Sequence, residues 1–135
     1  MRILVVEDDA ILALMAAEAL NLFGYEVVGP AHTVDECLNL AVNQPIDLAF
    51  IDINLAGKDE GIALARALRE RHAIHSIFVS GQVAAARTNR EAALGLLPKP
   101  YLLEDLDRSA RFTQAWIVGA NPPPPAKPVK LEMFT

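Results

Sequence analysis

Three consecutive acidic side chains follow the first apolar run of the sequence. Glu7, Asp8 and Asp9 come directly after "ILVV", and this run predicts a buried strand because a parallel sheet needs apolar side chains on both faces. Neighbouring carboxylates repel one another and raise one another's pKa unless a cation lies between them. The acidic cluster is therefore either a solvated turn or a site for a cation.

Further polar side chains stand at the ends of three later apolar runs. Asp52 ends "AFID", Ser80 ends "IFVS" and Lys99 follows "LLP". Ligands of open α/β sheets bind at the carboxyl ends of the strands, so these side chains are predicted to share one edge with the acidic cluster. Mg²⁺ prefers oxygen ligands and usually combines few protein carboxylates with a phosphate. The set predicts phosphoryl transfer to Asp52 as a carboxylate nucleophile. Mg²⁺ would hold one phosphoryl oxygen, Lys99 a second, and the Ser80 hydroxyl or a backbone amide the third.

The elements that must position these side chains alternate along the chain. Five short apolar runs alternate with segments of helical period, which predicts an α/β fold with a parallel sheet and helices on both faces. Asp9 is predicted to cap a first helix that stops at Gly24. A weak helix is predicted over residues 86–94, and a last helix begins near Leu102. The prediction of the first helix rests on the large apolar side chains Leu12, Met15, Leu20 and Phe23.

Composition narrows the class of protein. A length of 135 residues suits one domain with a proper core. The net charge of −5 and the absence of a basic block argue against nucleic acid as a partner. No apolar run has the length of a membrane span or of a signal peptide. The single cysteine, Cys37, excludes an internal disulfide and fits a reducing compartment, so we expect a cytoplasmic protein without a membrane partner.

The ordered set of polar strand ends resembles the receiver domain of two-component response regulators, from residue 1 to about residue 115. The resemblance implies a doubly wound, flavodoxin-like sheet of five parallel strands in the order 2-1-3-4-5. It also implies a Mg²⁺ cofactor held by Glu7, Asp8, Asp52 and the backbone carbonyl of Asn54, with Asp8 the more direct ligand of the acid pair. Asp9 is then a helix cap.

Further implications concern the fifth strand and the transfer itself. The resemblance implies a cis peptide between Lys99 and Pro100, which an X-Pro bond permits at low cost. Asp52 would accept a phosphoryl group from a sensor histidine kinase or a histidine phosphotransferase, assisted by Ser80 and Lys99. Output would be a contact with an unknown downstream protein, and a second copy of the chain is another candidate partner. The protein is expected to be no enzyme beyond its own phosphorylation and dephosphorylation.

The sequence departs from the family at Leu96, where receivers commonly carry Tyr or Phe three residues before the lysine. This departure keeps a phosphorylation-independent interaction module open as an alternative, and a phosphate sink for a shared histidine kinase is another. A phosphatase of the haloacid dehalogenase type would need a second Asp at the position of Asn54, which disfavours it.

The C-terminal residues differ in amino-acid composition from the rest of the chain. We assign 1–118 to the receiver domain and 119–135 to a proline-rich tail without an effector domain, as in stand-alone receivers. Its prolines favour an extended polyproline conformation, which predicts a disordered tail. The alternative is that Leu131, Met133 and Phe134 dock onto an apolar surface. The resemblance implies that switching involves the fourth helix, fifth strand and fifth helix.

Overall fold

A parallel β-sheet forms the centre of the chain. The structure is a computed structural model and describes residues 1–119, 127 and 130–134. The parallel strands are β1 (Arg2–Val6), β2 (Glu26–Ala31), β3 (Leu48–Ile51), β4 (His75–Ser80) and β5 (Gly95–Pro98). The helices are α1 (Ala10–Leu22), α2 (Val34–Asn43), α3 (Glu60–His72), α4 (Val83–Thr88) and α5 (Leu103–Val118), with a 3₁₀ turn at Arg90–Ala92 after α4.

The sheet confirms the predicted order of the parallel strands and adds one strand that the prediction missed. The strand order is β2-β1-β3-β4-β5-β6, and β6 (Glu132–Met133) pairs antiparallel with β5. The expectation of five strands is therefore wrong by one. A strand of two residues is too short to show the alternation by which strands are recognised in a sequence.

Two apolar cores cover the two faces of the sheet. Alternate residues of a strand point to opposite faces, so β1 sends Ile3 and Val5 to one core and Leu4 and Val6 to the other. The first, which we call the α1/α5 core, includes Leu20 of α1 and Leu106, Ala110 and Phe112 of α5. The second, the α2/α3 core, includes Cys37 of α2 and Leu64 and Leu68 of α3.

Helix α1 packs through small side chains. The Asp9 carboxylate caps it by accepting from the N–H groups of Ile11 and Leu12 at 3.0 and 3.1 Å, as predicted. Of the four large apolar side chains on which the helix was predicted, only Leu20 is buried, and the rest of the buried face of α1 is alanine. Small side chains let a helix approach its neighbours closely. The remaining large side chains, Leu12, Met15 and Phe23, are consequently exposed.

The helix predicted over residues 86–94 is shorter than expected. Helix α4 ends at Thr88, where the Thr88 hydroxyl and the Asn89 amide each donate to a carbonyl oxygen four residues earlier, both at 2.8 Å. Such side-chain bonds compete with the backbone ladder and favour a helix end. Among the described residues, no helix is long and apolar enough to cross a membrane.

Candidate functional site

Two neighbouring strands bring the first carboxylates together. Val6 and Ile51 are paired across β1 and β3, so Glu7 and Asp52 each lie one residue beyond the pairing. Their backbones are held by Glu7 N–H donating to Ala31 at 3.0 Å and Asp52 N–H donating to Val6 at 2.9 Å. Both side chains are buried, whereas Asp8 is exposed. Oxygen atoms of these three carboxylates lie within 4.8 Å of one another.

Lys99 directly follows β5 and contacts two of these carboxylates. Its ammonium Nζ lies 2.5 Å from Glu7 Oε1 and 3.1 Å from Asp52 Oδ2. The Lys99 N–H donates to the Ser80 carbonyl at 3.0 Å, and the peptide between Lys99 and Pro100 is cis, as the resemblance implied. The lysine therefore offers its positive charge directly to the predicted nucleophile.

The loop after β3 closes the site on its exposed side. Asn54 N–H donates to Asp52 Oδ1 at 3.3 Å, and Ala56 N–H donates to Asp8 Oδ2 at 3.2 Å. These bonds orient two carboxylates by means of one short loop. The backbone carbonyl of Asn54 as a metal ligand stays a prediction. Asp9 is engaged as the α1 cap and does not belong to the carboxylate cluster among the described residues.

Ser80 lies at the end of β4, on the strand next to β3. Phe78 pairs with Ile51, which puts Ser80 at the same edge of the sheet as Asp52. The side chain is fully buried, and its Oγ accepts a hydrogen bond from Gln82 N–H at 3.0 Å. Because the oxygen is the acceptor in that bond, the hydroxyl proton can be donated to another group.

The electrostatics of the site centre on Glu7. The pKa of Glu7 is raised to about 7, mainly by burial and in part by the neighbouring Asp52, against the opposing hydrogen bond from Lys99. Burial lowers the pKa of Lys99, but its hydrogen bonds to Glu7 and Asp52 outweigh this effect and raise the pKa overall. Three carboxylates and one ammonium leave an excess of negative charge, and a raised acid pKa is the expected response.

The donor set suits a small divalent cation. Mg²⁺ binds oxygen at about 2.0–2.1 Å in an octahedron, so its ligand atoms stand about 3 to 4 Å apart. The carboxylate oxygens of Glu7, Asp8 and Asp52, all within 4.8 Å of one another, fit that spacing with small adjustments. A cation would also offset the repulsion from Asp52, which adds to the effect of burial on the pKa of Glu7.

Three further residues contribute to the site, and their role was not predicted from the sequence. Tyr101 lines, with Glu7 and Asp52, a cavity of about 20 Å³, room for about one water molecule. The His32 Nδ1 lies 3.0 Å from the Glu7 carbonyl oxygen. Gly61 approaches the Asp52 backbone so closely that a Cβ there would lie 2.1 Å from the Asp52 carbonyl oxygen. The available signals were the tyrosine directly after "KP" and a glycine at the start of a helix.

Comparisons with known proteins agree with this geometry. The family model for the response regulator receiver domain matches residues 3–111. The transcriptional regulatory protein PdtaR of Mycobacterium tuberculosis is 30% identical over 108 residues, which are 78% of this chain and 52% of that protein. The chain spans about a third to about half the length of the curated relatives it matches.

Solved structures show the same architecture. A CheY-like receiver domain protein from Methanospirillum hungatei has a TM-score of 0.75 at 27% identity, covering 87% of this chain and 96% of that one. The response regulator TrrA of Thermotoga maritima, solved in complex with Mg²⁺ and BeF, has a TM-score of 0.70 at 25% identity, covering 81% and 95%. Because the family match runs from β1 into α5 and so includes every parallel strand, the chain belongs to the response regulator receiver domain family.

Proposed function

We propose that the chain accepts a phosphoryl group on Asp52 from a phosphohistidine donor, with Mg²⁺, and signals through contacts with other proteins. The observation that carries the proposal is the position of the Lys99 ammonium, 3.1 Å from the Asp52 carboxylate, at one side of a three-carboxylate cluster. A nucleophile, a fixed cation and a set of metal ligands thus meet at one point. The complex of the similar TrrA with Mg²⁺ and BeF supports the same chemistry here.

The residues of the chain divide the transfer between them. A carboxylate oxygen of Asp52 attacks the phosphorus; an O–P bond forms, the P–N bond breaks, and its electron pair stays on the imidazole nitrogen of the donor. The Lys99 ammonium and the Ser80 hydroxyl neutralise two of the phosphoryl oxygens. Bound by Glu7, Asp8, Asp52 and the Asn54 carbonyl, Mg²⁺ would supply the remaining positive charge. Beyond this reaction and hydrolysis of its product, we propose no enzymatic activity.

An apolar groove beside Lys99 supports a protein as the donor. The groove has a volume of about 340 Å³ and is lined by Leu12, Met15, Lys99, Pro100, Tyr101 and Leu103. A donor histidine that reaches Asp52 brings its surrounding surface onto this groove. Leu12 and Met15, two exposed side chains of α1 that line the groove, would then be covered, which removes apolar surface from water. A histidine kinase or histidine phosphotransferase is the partner that this geometry suits.

The proposed output of the receiver is a contact with another protein. A receiver of this kind would signal by a change in its affinity for a protein, which requires that the partner prefer one state of the chain.

Intact mass spectrometry tests the chemistry. The protein is incubated with acetyl phosphate or phosphoramidate, with and without Mg²⁺, beside Asp52→Asn. One added phosphoryl group that depends on both Mg²⁺ and Asp52 is expected. An adduct of equal yield on Asp52→Asn, or none on the wild type with either donor, would refute the proposal.

A second experiment separates the donor surface from the chemistry. Met15→Asp is expected to retain phosphorylation by acetyl phosphate and to slow transfer from a phosphorylated histidine phosphotransferase that serves the wild type. Leu22→Asp is the matched control, because Leu22 lies on the same helix, is 89% exposed and does not line the groove. Equal transfer rates for the two variants would argue against the groove as the donor surface.

A further inference from the structure

Residues 131–134 form a strand end that contacts both faces of the sheet. Leu131 belongs to the α1/α5 core, and Met133 packs against the same core. Phe134 belongs to the α2/α3 core on the opposite face. Leu131 and Phe134 are only 1% and 8% exposed. This alternation is that of a β-strand, so the segment uses the edge of β5 as a strand partner and the two cores as pockets.

Backbone pairing fixes the register of this strand. Met133 pairs with Gly95 and Glu132 with Leu96, and Phe134 N–H donates to the Leu94 carbonyl at 2.9 Å. The segment therefore sits on the open edge of β5 by main-chain hydrogen bonds, the interaction that gives strand-addition sites their affinity.

Charged side chains recognise the segment on the α4 side. The Arg87 guanidinium lies 2.7 Å from Glu132 Oε1 and thereby lowers the pKa of the Glu132 carboxyl. The Arg90 guanidinium lies 5.1 Å from the centre of the Phe134 ring, within the range of a cation–π contact. An acidic residue and an aromatic residue two positions later are thus matched by two arginines.

Gly95 provides the backbone access that such a site needs. A Cβ at this position would lie 2.5 Å from the Glu132 carbonyl oxygen and 3.3 Å from Met133 Cα. The nearest atoms all belong to β6. A glycine in a strand is typical of a place where another backbone approaches closely, and here the approaching backbone is that of the tail.

We infer that the edge of β5 is a docking site for an extended peptide of a partner protein, and that residues 130–134 are its intramolecular occupant. The partner peptide presents apolar side chains to the two cores and an acidic side chain to Arg87, as Leu131, Glu132 and Phe134 do now. To bind, it displaces the tail, which acts as an autoinhibitory strand.

The contacts between the tail and β5 are few enough for a competing peptide to displace the tail. Among the described residues of the tail, two pair with β5, which has four residues, so a longer peptide can form more of the ladder. The Arg87–Glu132 ion pair is 57% and 32% exposed, and exposed pairs contribute little. Attachment in the same chain gives the tail a high effective concentration, which favours it over a free peptide of the same sequence.

Competition between tail and peptide gives a direct test on the full chain. The probe is a fluorescein-labelled peptide with the sequence of residues 127–135, "KPVKLEMFT", followed by fluorescence anisotropy. In the variant Leu131→Ser with Phe134→Ser, which we call the undocked variant, the tail no longer fills its pockets in the two cores. We expect this variant to bind the peptide at least about tenfold more tightly than the wild type, since a site occupied nine-tenths of the time raises the apparent Kd by that factor.

Three matched variants tie the result to the β5 edge. Ile117→Ser with Val118→Ser removes two exposed apolar side chains of α5 and should bind as the wild type does. Adding Gly95→Val to the undocked variant should abolish binding. In the same background Arg87→Glu should weaken binding of the peptide, because two carboxylates then face each other, and binding should recover when arginine replaces Glu132 in the peptide.

Several results would overturn the inference. Equal peptide affinities of the wild type and the undocked variant would show that the tail does not compete. No binding to an undocked variant whose circular dichroism matches that of the wild type would show that no site exists. Sedimentation of the wild type as a dimer and of the undocked variant as a monomer would exclude intramolecular occupancy. Glu132→Arg sets a positive charge against Arg87 and Arg90 and weakens docking of the tail without a change to either core, so it gives a comparison of the same sign if the double variant misfolds.

None of these outcomes depends on Asp52. The peptide experiment is carried out on unphosphorylated protein, and its failure leaves the proposed phosphoryl transfer untouched. Conversely, a chain that accepts no phosphoryl group could still bind the peptide at β5.

Discussion

Replacing Gly61 by alanine tests how tightly the backbone of the proposed phosphoacceptor is packed. Gly61 is the second residue of α3, and its N–H donates to the Ile53 carbonyl at 2.9 Å. A Cβ would lie 2.1 Å from the Asp52 carbonyl oxygen and 2.6 Å from Ile53 Cα. Since such contacts are essentially never shorter than 3.0 Å, the loop after β3 would have to move by about 1 Å.

Two effects of opposite sign decide the stability of this variant. Alanine is favoured over glycine inside a helix by about 1 kcal/mol. Overpacking of a well-packed site costs about 1–3 kcal/mol, and the upper part of that range applies because the clash is with backbone on two residues. We therefore expect a net loss of about 1–2 kcal/mol of unfolding free energy, or about 3–10 °C in Tm. Helix propensity alone would predict the opposite sign.

Urea unfolding followed by far-UV circular dichroism measures this difference. Gly81→Ala is the control, because a Cβ there has no atom within 4 Å and Gly81 has no positive φ; its change should stay within about 0.5 kcal/mol. A Gly61→Ala protein as stable as the wild type would refute the packing argument, as would an equal loss at Gly81. The rate of phosphorylation by acetyl phosphate should fall with Gly61→Ala, because the displaced backbone carries Asp52.

Burial and charge lead to four further predictions. A pKa of about 7 at Glu7 means that protons compete with Mg²⁺, so calorimetric Mg²⁺ affinity should rise as the pH increases through 7 and Glu7→Gln should flatten the dependence. Without metal, the folded chain binds this proton more tightly than the unfolded chain, so stability should fall as the pH rises from 4.5 to about 7. Burial raises the pKa of Cys37 to about 12, so alkylation followed by mass spectrometry should be slow in the native state and fast in urea. Arg66→Ala, which removes the ion pair to Glu91 on the surface, should cost less than about 1 kcal/mol in urea unfolding.

The location of the site could be predicted because its residues are tied to strand ends. Glu7, Asp52, Ser80 and Lys99 each follow an apolar run, and parallel strands bring all their carboxyl ends to one edge of the sheet. Lys99 and Glu7 are 92 residues apart in the sequence. The order of the parallel strands nevertheless brings both side chains to the same edge of the sheet. The pattern of strands and helices was therefore sufficient to assemble the cluster.

Features that depend on close approach could not be predicted in the same way. The large side chains of α1 suggest an apolar face, but the buried face consists of alanines and Leu20 because α1 packs closely. The contact of Gly61 with the Asp52 backbone becomes visible only in three dimensions. Composition records which residues can be buried, whereas the distance between elements decides which of them are.

Strand β6, the outermost strand beside β5, is another feature that could not be predicted from the sequence. Its two residues have no detectable period, and the proline-rich sequence before them favoured a disordered tail. The alternative, that large hydrophobic residues dock, agrees with the burial of Leu131 and Phe134. Leu96, where the sequence departs from the family, is fully buried and pairs with Glu132 of this strand. The departure and the docked tail therefore occur at one place in the fold.

Strand β5 connects the two sites, and thermodynamic linkage makes their coupling measurable. It pairs with the tail at Leu96 and leads to Lys99, and the Lys130 ammonium donates to the Pro100 carbonyl at 2.8 Å. Any factor by which beryllofluoride at Asp52 changes the tail-docking constant must equal the factor by which docking changes the affinity for beryllofluoride. We expect the wild type and the undocked Leu131→Ser, Phe134→Ser variant to differ in beryllofluoride affinity, in the direction set by the peptide affinities with and without beryllofluoride. Equal beryllofluoride affinities would show that the two sites are not thermodynamically coupled, although both lie on β5.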